Sequence, residues 1–137
     1  MTSRRELLYL SRADIEGIGM KMKDVIHVVE QAFVEKGRGR VQMPPKPGIA
    51  PLADAFIHAM PAYIPGMSAA GIKWISGYPA NYKRGLPYIS GLIILNQPTT
   101  GLPMAVMDAT WVTAMRTGAA TAVAAKYLAR EDAESVA

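Results

Sequence analysis

A chain of 137 residues is long enough to bury one core and short for two domains. Half of it is apolar, which excludes a disordered chain, and Lys, Pro or Gly breaks every apolar run before it reaches bilayer length. With no cysteine and only His27 and His58, a disulfide framework, a thiolate metal site and a convincing histidine metal centre are excluded, and the net charge of +4 suits small anionic substrates.

The N-terminal Met-Thr-Ser-Arg-Arg-Glu carries no apolar core, so a cytoplasmic protein is the simplest expectation. Residues 7–10, Leu-Leu-Tyr-Leu, read as a short strand. Ser11 has the chemistry of an N-cap, with Asp14 completing a capping box, ahead of a short helix to Gly17 or Gly19. A longer helix is expected over Lys21–Lys36, where Val25, Val28, Val29, Ala32 and Phe33 make an amphipathic stripe and Gly37 ends it. His27 falls off the stripe, on the solvent side. The basic cluster Lys36-Gly-Arg-Gly-Arg40 has no interleaved aromatics and reads as a solvated loop rather than a nucleic-acid surface.

Residues 41–53 are proline-rich, and Pro47 biases Lys46 toward extended backbone. That Lys is held rigidly, either in a solvated loop or on an edge strand. Residues 55–64 form a strand whose Pro61 demands an edge or a bulge. Pro65-Gly66 is a turn, and residues 69–76 return as the second half of a hairpin. Alternation places Ile72 and Trp74 on one face and Lys73 on the other, with Gly71 and Ile75. A Lys inside an apolar strand costs several kcal/mol unless paired, so Lys73 either snorkels to solvent or serves a site. After a loop over 77–87, residues 88–95 and 102–107 form a second hairpin around Asn96–Gly101. Asp108 caps a short helix 109–115, and a final helix spans 117–129. The order of elements is α+β, with a mostly antiparallel sheet and flanking helices.

In this reading Met115-Arg-Thr-Gly-Ala-Ala120 opens the last helix, so Arg116 and Thr117 flank free backbone N–H groups that attract an anion. A capped helix bearing a surface Arg is the alternative. With Lys46 and Lys73, Arg116 makes a set able to clamp a carboxylate and polarise a C=O or C=N group. The chain contains neither a G-x-G-x-x-G fingerprint nor a Walker motif.

The blocks Lys73-Trp-Ile-Ser-Gly-Tyr-Pro-Ala-Asn81, Ser90-Gly91, Thr100-Gly101-Leu-Pro103 and Thr113-Ala-Met-Arg-Thr-Gly-Ala-Ala-Thr-Ala-Val-Ala-Ala-Lys-Tyr-Leu-Ala-Arg130 resemble the ornithine cyclodeaminase/μ-crystallin family in order and spacing. The resemblance implies a substrate-binding and dimerisation domain over 1–133. It makes 134–137 the start of a Rossmann domain that the chain lacks, together with the family's acidic catalytic residue. It implies an NAD- or NADP-dependent enzyme acting on a small amino or imino acid, in a homodimer without nucleic-acid or membrane partners. Lys73 would be the catalytic lysine at the reacting centre, and Arg116 would hold the substrate carboxylate and approach the cofactor. Lys46 stands where the family commonly carries an Arg, and Met60 lines the pocket, with His58 a further candidate. Tyr88, Ile89 and Thr117 fall where relatives meet the dinucleotide, although Tyr88 replaces a usual Thr or Ser. No metal is implied. A binding or assembly module without catalysis is the other reading of a chain that has no glycine-rich fingerprint.

Overall fold

The computed structural model describes residues 6–135. Residues 1–5, with most of the leader considered above, lie outside the described residues, as do Val136 and Ala137, part of the expected further strand. Six strands form one mixed sheet in the order β1-β6-β5-β4-β3-β2. All neighbours are antiparallel except β1, which runs parallel to β6.

The first strand, β1 (Leu8–Leu10), leads into α1 (Arg12–Gly17). Ser11 caps that helix as its sequence requires. The Asp14 backbone N–H donates to Ser11 Oγ at 3.3 Å, and the Ser11 N–H donates back to Asp14 Oδ2 at 2.8 Å. The second helix, α2 (Met22–Gly37), retains Gly37 as its last residue. The chain reverses only at Gly39, which takes a left-handed φ of 70°, so the expected stop is late by a short step. The apolar stripe is partly covered: Val25 is 8% exposed, while Val28 and Phe33 are 45% and 48% exposed. His27 lies at the surface as expected. The basic cluster is exposed, and Arg38 and Arg40 close back onto Glu35 at 3.4 and 2.6 Å.

The proline-rich segment runs extended along the sheet margin and contributes the two-residue β2 (Gly48–Ile49). It pairs with β3 (Phe56–Ile64), which turns through Pro65–Met67 into β4 (Ala69–Gly77). Pro61 sits where its missing N–H costs nothing. The flanking N–H groups of Ala59 and Tyr63 donate outward to Pro47 O and Gln42 O, so the Pro61 position faces the incompletely paired outer edge. A 3₁₀ turn over Pro79–Arg84 precedes β5 (Ile89–Asn96), and β6 (Pro103–Asp108) completes the second hairpin.

The largest departure from expectation is at the end of the chain. The two helices expected at 109–115 and 117–129 are one, α3 (Thr110–Leu128). Gly118 does not break it. A lone Gly costs a helix only about 1 kcal/mol, and tertiary packing overrides that. Ala119 and Val123 are the packing residues, at 0% and 6% exposure. Asp108 stands one residue ahead of the N-cap position, which Ala109 takes, and from there its Oδ1 accepts the Thr110 backbone N–H at 2.8 Å. The α2 and α3 helices lie together, tied by Lys126 Nζ in the last turn of α3 to Glu30 Oε1 at the middle of α2, at 2.8 Å.

Side-chain alternation divides the sheet into two unlike faces. On β4, Ile75 is 5% exposed on the helix-covered side, whereas its neighbour Trp74 is 49% exposed on the other.

Candidate functional site

Lys73 stands on the helix-covered face of β4, opposite Met60 of β3 and Ile93 of β5. That is the placement period-2 alternation demands. Three separate elements then converge on it. The strand β3 supplies Met60 and, further along the same face, Ala62. The extended proline segment is laced to the edge of β3 by the Gln42–Tyr63 bridge and the Ala59 N–H to Pro47 O bond of 3.0 Å, which carries Lys46 alongside. The helix α3 supplies Arg116. Together these residues enclose a cleft of about 540 Å³. Lys46, Lys73 and Arg116 bring its charge, and Met43, Pro44, Pro45, Met60, Pro61 and Ala62 make the remaining wall. Arg116 also borders an apolar cavity between α1, α2, α3 and β6, lined by Met107, Trp111 and Met115 among others. Arg stems commonly rest on such surface while the guanidinium faces a polar site.

No carboxylate answers these cations within the described residues. The ion pairs there involve Arg12, Arg38, Arg40, Lys126 and Arg130, and none of the cleft cations. Burial depresses the pKa of Lys73 below its ordinary value, and the positive charges of Arg116 and then Lys46 depress it further. An anion entering the cleft would relieve that repulsion, so the cleft is preorganised for one. Such a set of cations can hold a carboxylate and polarise a carbonyl or imine beside it.

Lys46, Met60, Lys73 and Arg116, the expected substrate residues, therefore meet in one place. The helix-start argument for Arg116 and Thr117 does not survive. Both lie inside α3, Thr117 Oγ1 donates to Thr113 O at 2.7 Å, and the helix starts at Thr110, whose backbone N–H is taken by Asp108 Oδ1. Tyr88 and Ile89 do not line the cleft. Tyr88 is 52% exposed just ahead of β5, its carbonyl taken by the Tyr78 N–H at 2.9 Å, and Ile89 pairs with Gly77 at the β5 start. His58 likewise lies outside the cleft wall and stacks on Phe56 at 4.4 Å. The walls formed by Met43, Pro44, Pro45, Pro61 and Ala62 went unread in the sequence. Alternation from Met60 reaches Ala62, but nothing local says which strand edge the prolines follow.

Among the described residues no group of three or more His, Asp or Glu is placed to hold a metal ion. Nor is any helix there long and apolar enough to cross a membrane.

Comparison with known proteins gives the chain's relatives. The model of the ornithine cyclodeaminase/μ-crystallin family matches residues 6–137. An alanine dehydrogenase of Archaeoglobus fulgidus is 44% identical over 127 residues, covering 93% of this chain and 38% of that protein. The structure of Thermococcus litoralis Δ1-pyrroline-2-carboxylate reductase, in complex with NADH and L-proline, superposes with a TM-score of 0.87 at 47% identity, over 91% of this chain and 39% of that one. An archaeal alanine dehydrogenase dimer with bound NAD gives 0.85 at 44% identity, over 92% and 38%. The chain thus spans about 40% of the length of the relatives it matches.

Proposed function

The chain belongs to the ornithine cyclodeaminase/μ-crystallin family, and from that premise we propose that it is the substrate-binding and dimerisation portion of an NAD(P)-dependent oxidoreductase or cyclodeaminase of a small amino or imino acid. The observation that carries this reading is the convergence of Lys46, Lys73 and Arg116, without a carboxylate among them, in one cleft walled by apolar side chains. Arg116 and Lys46 hold the substrate carboxylate. Lys73 polarises the adjacent C=N or C=O group and exchanges a proton with it.

A dinucleotide supplies the hydride donor or acceptor when bound. The α3 surface around the cleft residue Arg116 fits such a group in part. Arg116 and the next residue, Thr117, are both exposed, and at Gly118, further round the helix, only the end of Met22, at 3.6 Å, would meet a side chain, so a ligand can approach the backbone there. The Thr117 hydroxyl already donates to Thr113 and is left to accept a bond. Most of the dinucleotide contacts would come from a Rossmann domain following residue 133, as in the relatives' greater length. The dinucleotide-using relatives also favour a cytoplasmic enzyme. A homodimer is supported by the helix-free sheet face and by the dimeric alanine dehydrogenase neighbour.

The test is to extend the coding sequence beyond Ala137, look for a glycine-rich fingerprint, and assay the complete protein spectrophotometrically for NAD(P)H turnover with amino, imino and keto acids. Turnover with any of them supports the reading. A complete protein without the fingerprint, or without such turnover, favours a non-catalytic assembly module, for which the exposed sheet face is the motivating observation.

A further inference from the structure

Resting on that reading, we infer that the cleft selects substrates whose side chain is aliphatic and uncharged, open or cyclised, and rejects diamino acids. The family name covers enzymes of both kinds, so membership leaves the choice open. The argument is one of charge and wall chemistry. All three cations of the cleft have work at one end of the substrate. Arg116 and Lys46 serve the carboxylate, and Lys73 serves the reacting carbon. What this chain offers to the side chain is Met43, Met60, Ala62 and the prolines, a wall with no charged or hydrogen-bonding side chain.

A distal ammonium, as in ornithine or lysine, would be desolvated on that wall and would face positive charge from Lys46, Lys73 and Arg116 together. Lys73 itself records what a cation experiences there. Its ammonium is disfavoured by burial and by both neighbours, and no acidic group is among the causes acting on it. A single carboxylate contributed by another domain, used on the reacting amino group, would leave the side-chain wall unchanged. A second substrate carboxylate fares better electrostatically than an ammonium, but it would lose its hydration against Met and Pro side chains that carry no donor. An aliphatic side chain loses nothing on transfer from water and gains by burial.

The experiment uses the complete protein and reads kcat/KM, with NAD and NADP in turn, for L-alanine, L-proline, L-aspartate and L-ornithine. In parallel, equilibrium binding of the same four amino acids is measured by calorimetry in the presence of oxidised dinucleotide. The expected result is a kcat/KM for alanine or proline at least 100-fold above that for ornithine, and at least tenfold above that for aspartate. In addition, Ala62→Asp, which places a carboxylate on the side-chain wall opposite Gly71, should raise the ornithine-to-alanine ratio at least tenfold. Highest efficiency with ornithine or aspartate overturns the inference while leaving the proposed oxidoreductase intact. Absence of turnover with all four overturns the proposed function, and the calorimetric order of binding then decides the inference by itself. Preferential binding of the aliphatic acid upholds it, and equal or weaker binding rejects it.

Discussion

Arg116 and Lys73 illustrate two ways in which a cation serves a site. Arg116 is a planar fork with no acidic partner within the described residues, on a rigid helix, so its donors are available to a substrate carboxylate. Arg116→Ala in the complete enzyme should lower kcat/KM by about 10² to 10³, the equivalent of about 3–4 kcal/mol for losing a charge-assisted pair. Arg116→Lys should recover only part of it, because the charge returns without the fork. Steady-state kinetics unchanged by both substitutions would remove Arg116 from the site. Lys73 is a strained resident of its strand. Its folded pKa lies below the ordinary 10.5, so the folded chain binds its proton less tightly than the unfolded chain does. The sign follows from that inequality. Lys73 destabilises the fold most at pH values below its folded pKa, and the penalty fades as pH rises from there toward 10.5. Lys73→Met, which keeps the stem and removes the charge, should abolish turnover and yet raise unfolding stability by up to about 1 kcal/mol, since solvent screens a half-exposed ammonium. Denaturant midpoints of the two proteins should converge as pH rises through that window. A Lys73→Met protein less stable than its parent at neutral pH would contradict this account.

The elements that bring these cations together were unequally legible from sequence. The capping box at Ser11 and Asp14, the period-2 pattern of β4 and the proline signature of a sheet edge in β3 are local statements, and local chemistry decides them. The continuity of α3 was misread, because Gly118 after Arg116 and Thr117 resembles a helix boundary when packing is invisible. The path of Lys46 was not readable at all. Prolines specify an extended backbone but not the Tyr63 and Ala59 partners that lay it against β3, and such pairing is a long-range choice. The parallel pairing of β1 with β6 is of the same kind, joining residues at opposite ends of the chain. A glycine shows how closely the pairing is held. A Cβ on Gly91 would lie 2.2 Å from Trp74 O and 2.9 Å from Ile75 Cα, backbone atoms that cannot swing aside. The same residue's carbonyl accepts the Ala109 N–H at 2.9 Å and so anchors the approach to α3. Gly91→Ala should therefore cost about 2–3 kcal/mol in chemical denaturation. It should also weaken substrate binding, since β4 and β5 must separate beside Lys73. A variant as stable as the parent would show that the sheet can yield there.

At the scale of the molecule, the helices lie on one side of the sheet, where α3 adds Arg116 to the cleft, and the other side is uncovered among the described residues. Cross-strand neighbours Trp74 and Leu92 stand on that side at 49% and 40% exposure, with Tyr9 at 73% further along. Scattered apolar residues on a surface need no explanation, but a paired Trp and Leu at the middle of a sheet are the composition of an interface core. A homodimer that buries this face would stiffen β4 from behind, on the strand that holds Lys73 in register with Met60. Trp74→Glu combined with Leu92→Glu should therefore produce a monomer by analytical ultracentrifugation at concentrations where the parent sediments as a dimer. Thermal midpoints should be concentration-dependent in the parent and independent of concentration in the variant. The double substitution leaves every cleft side chain in place, so any loss of substrate affinity in the monomer would measure how much of the site's order comes from the partner. If the parent is itself monomeric across the micromolar range, the open face does not serve self-association.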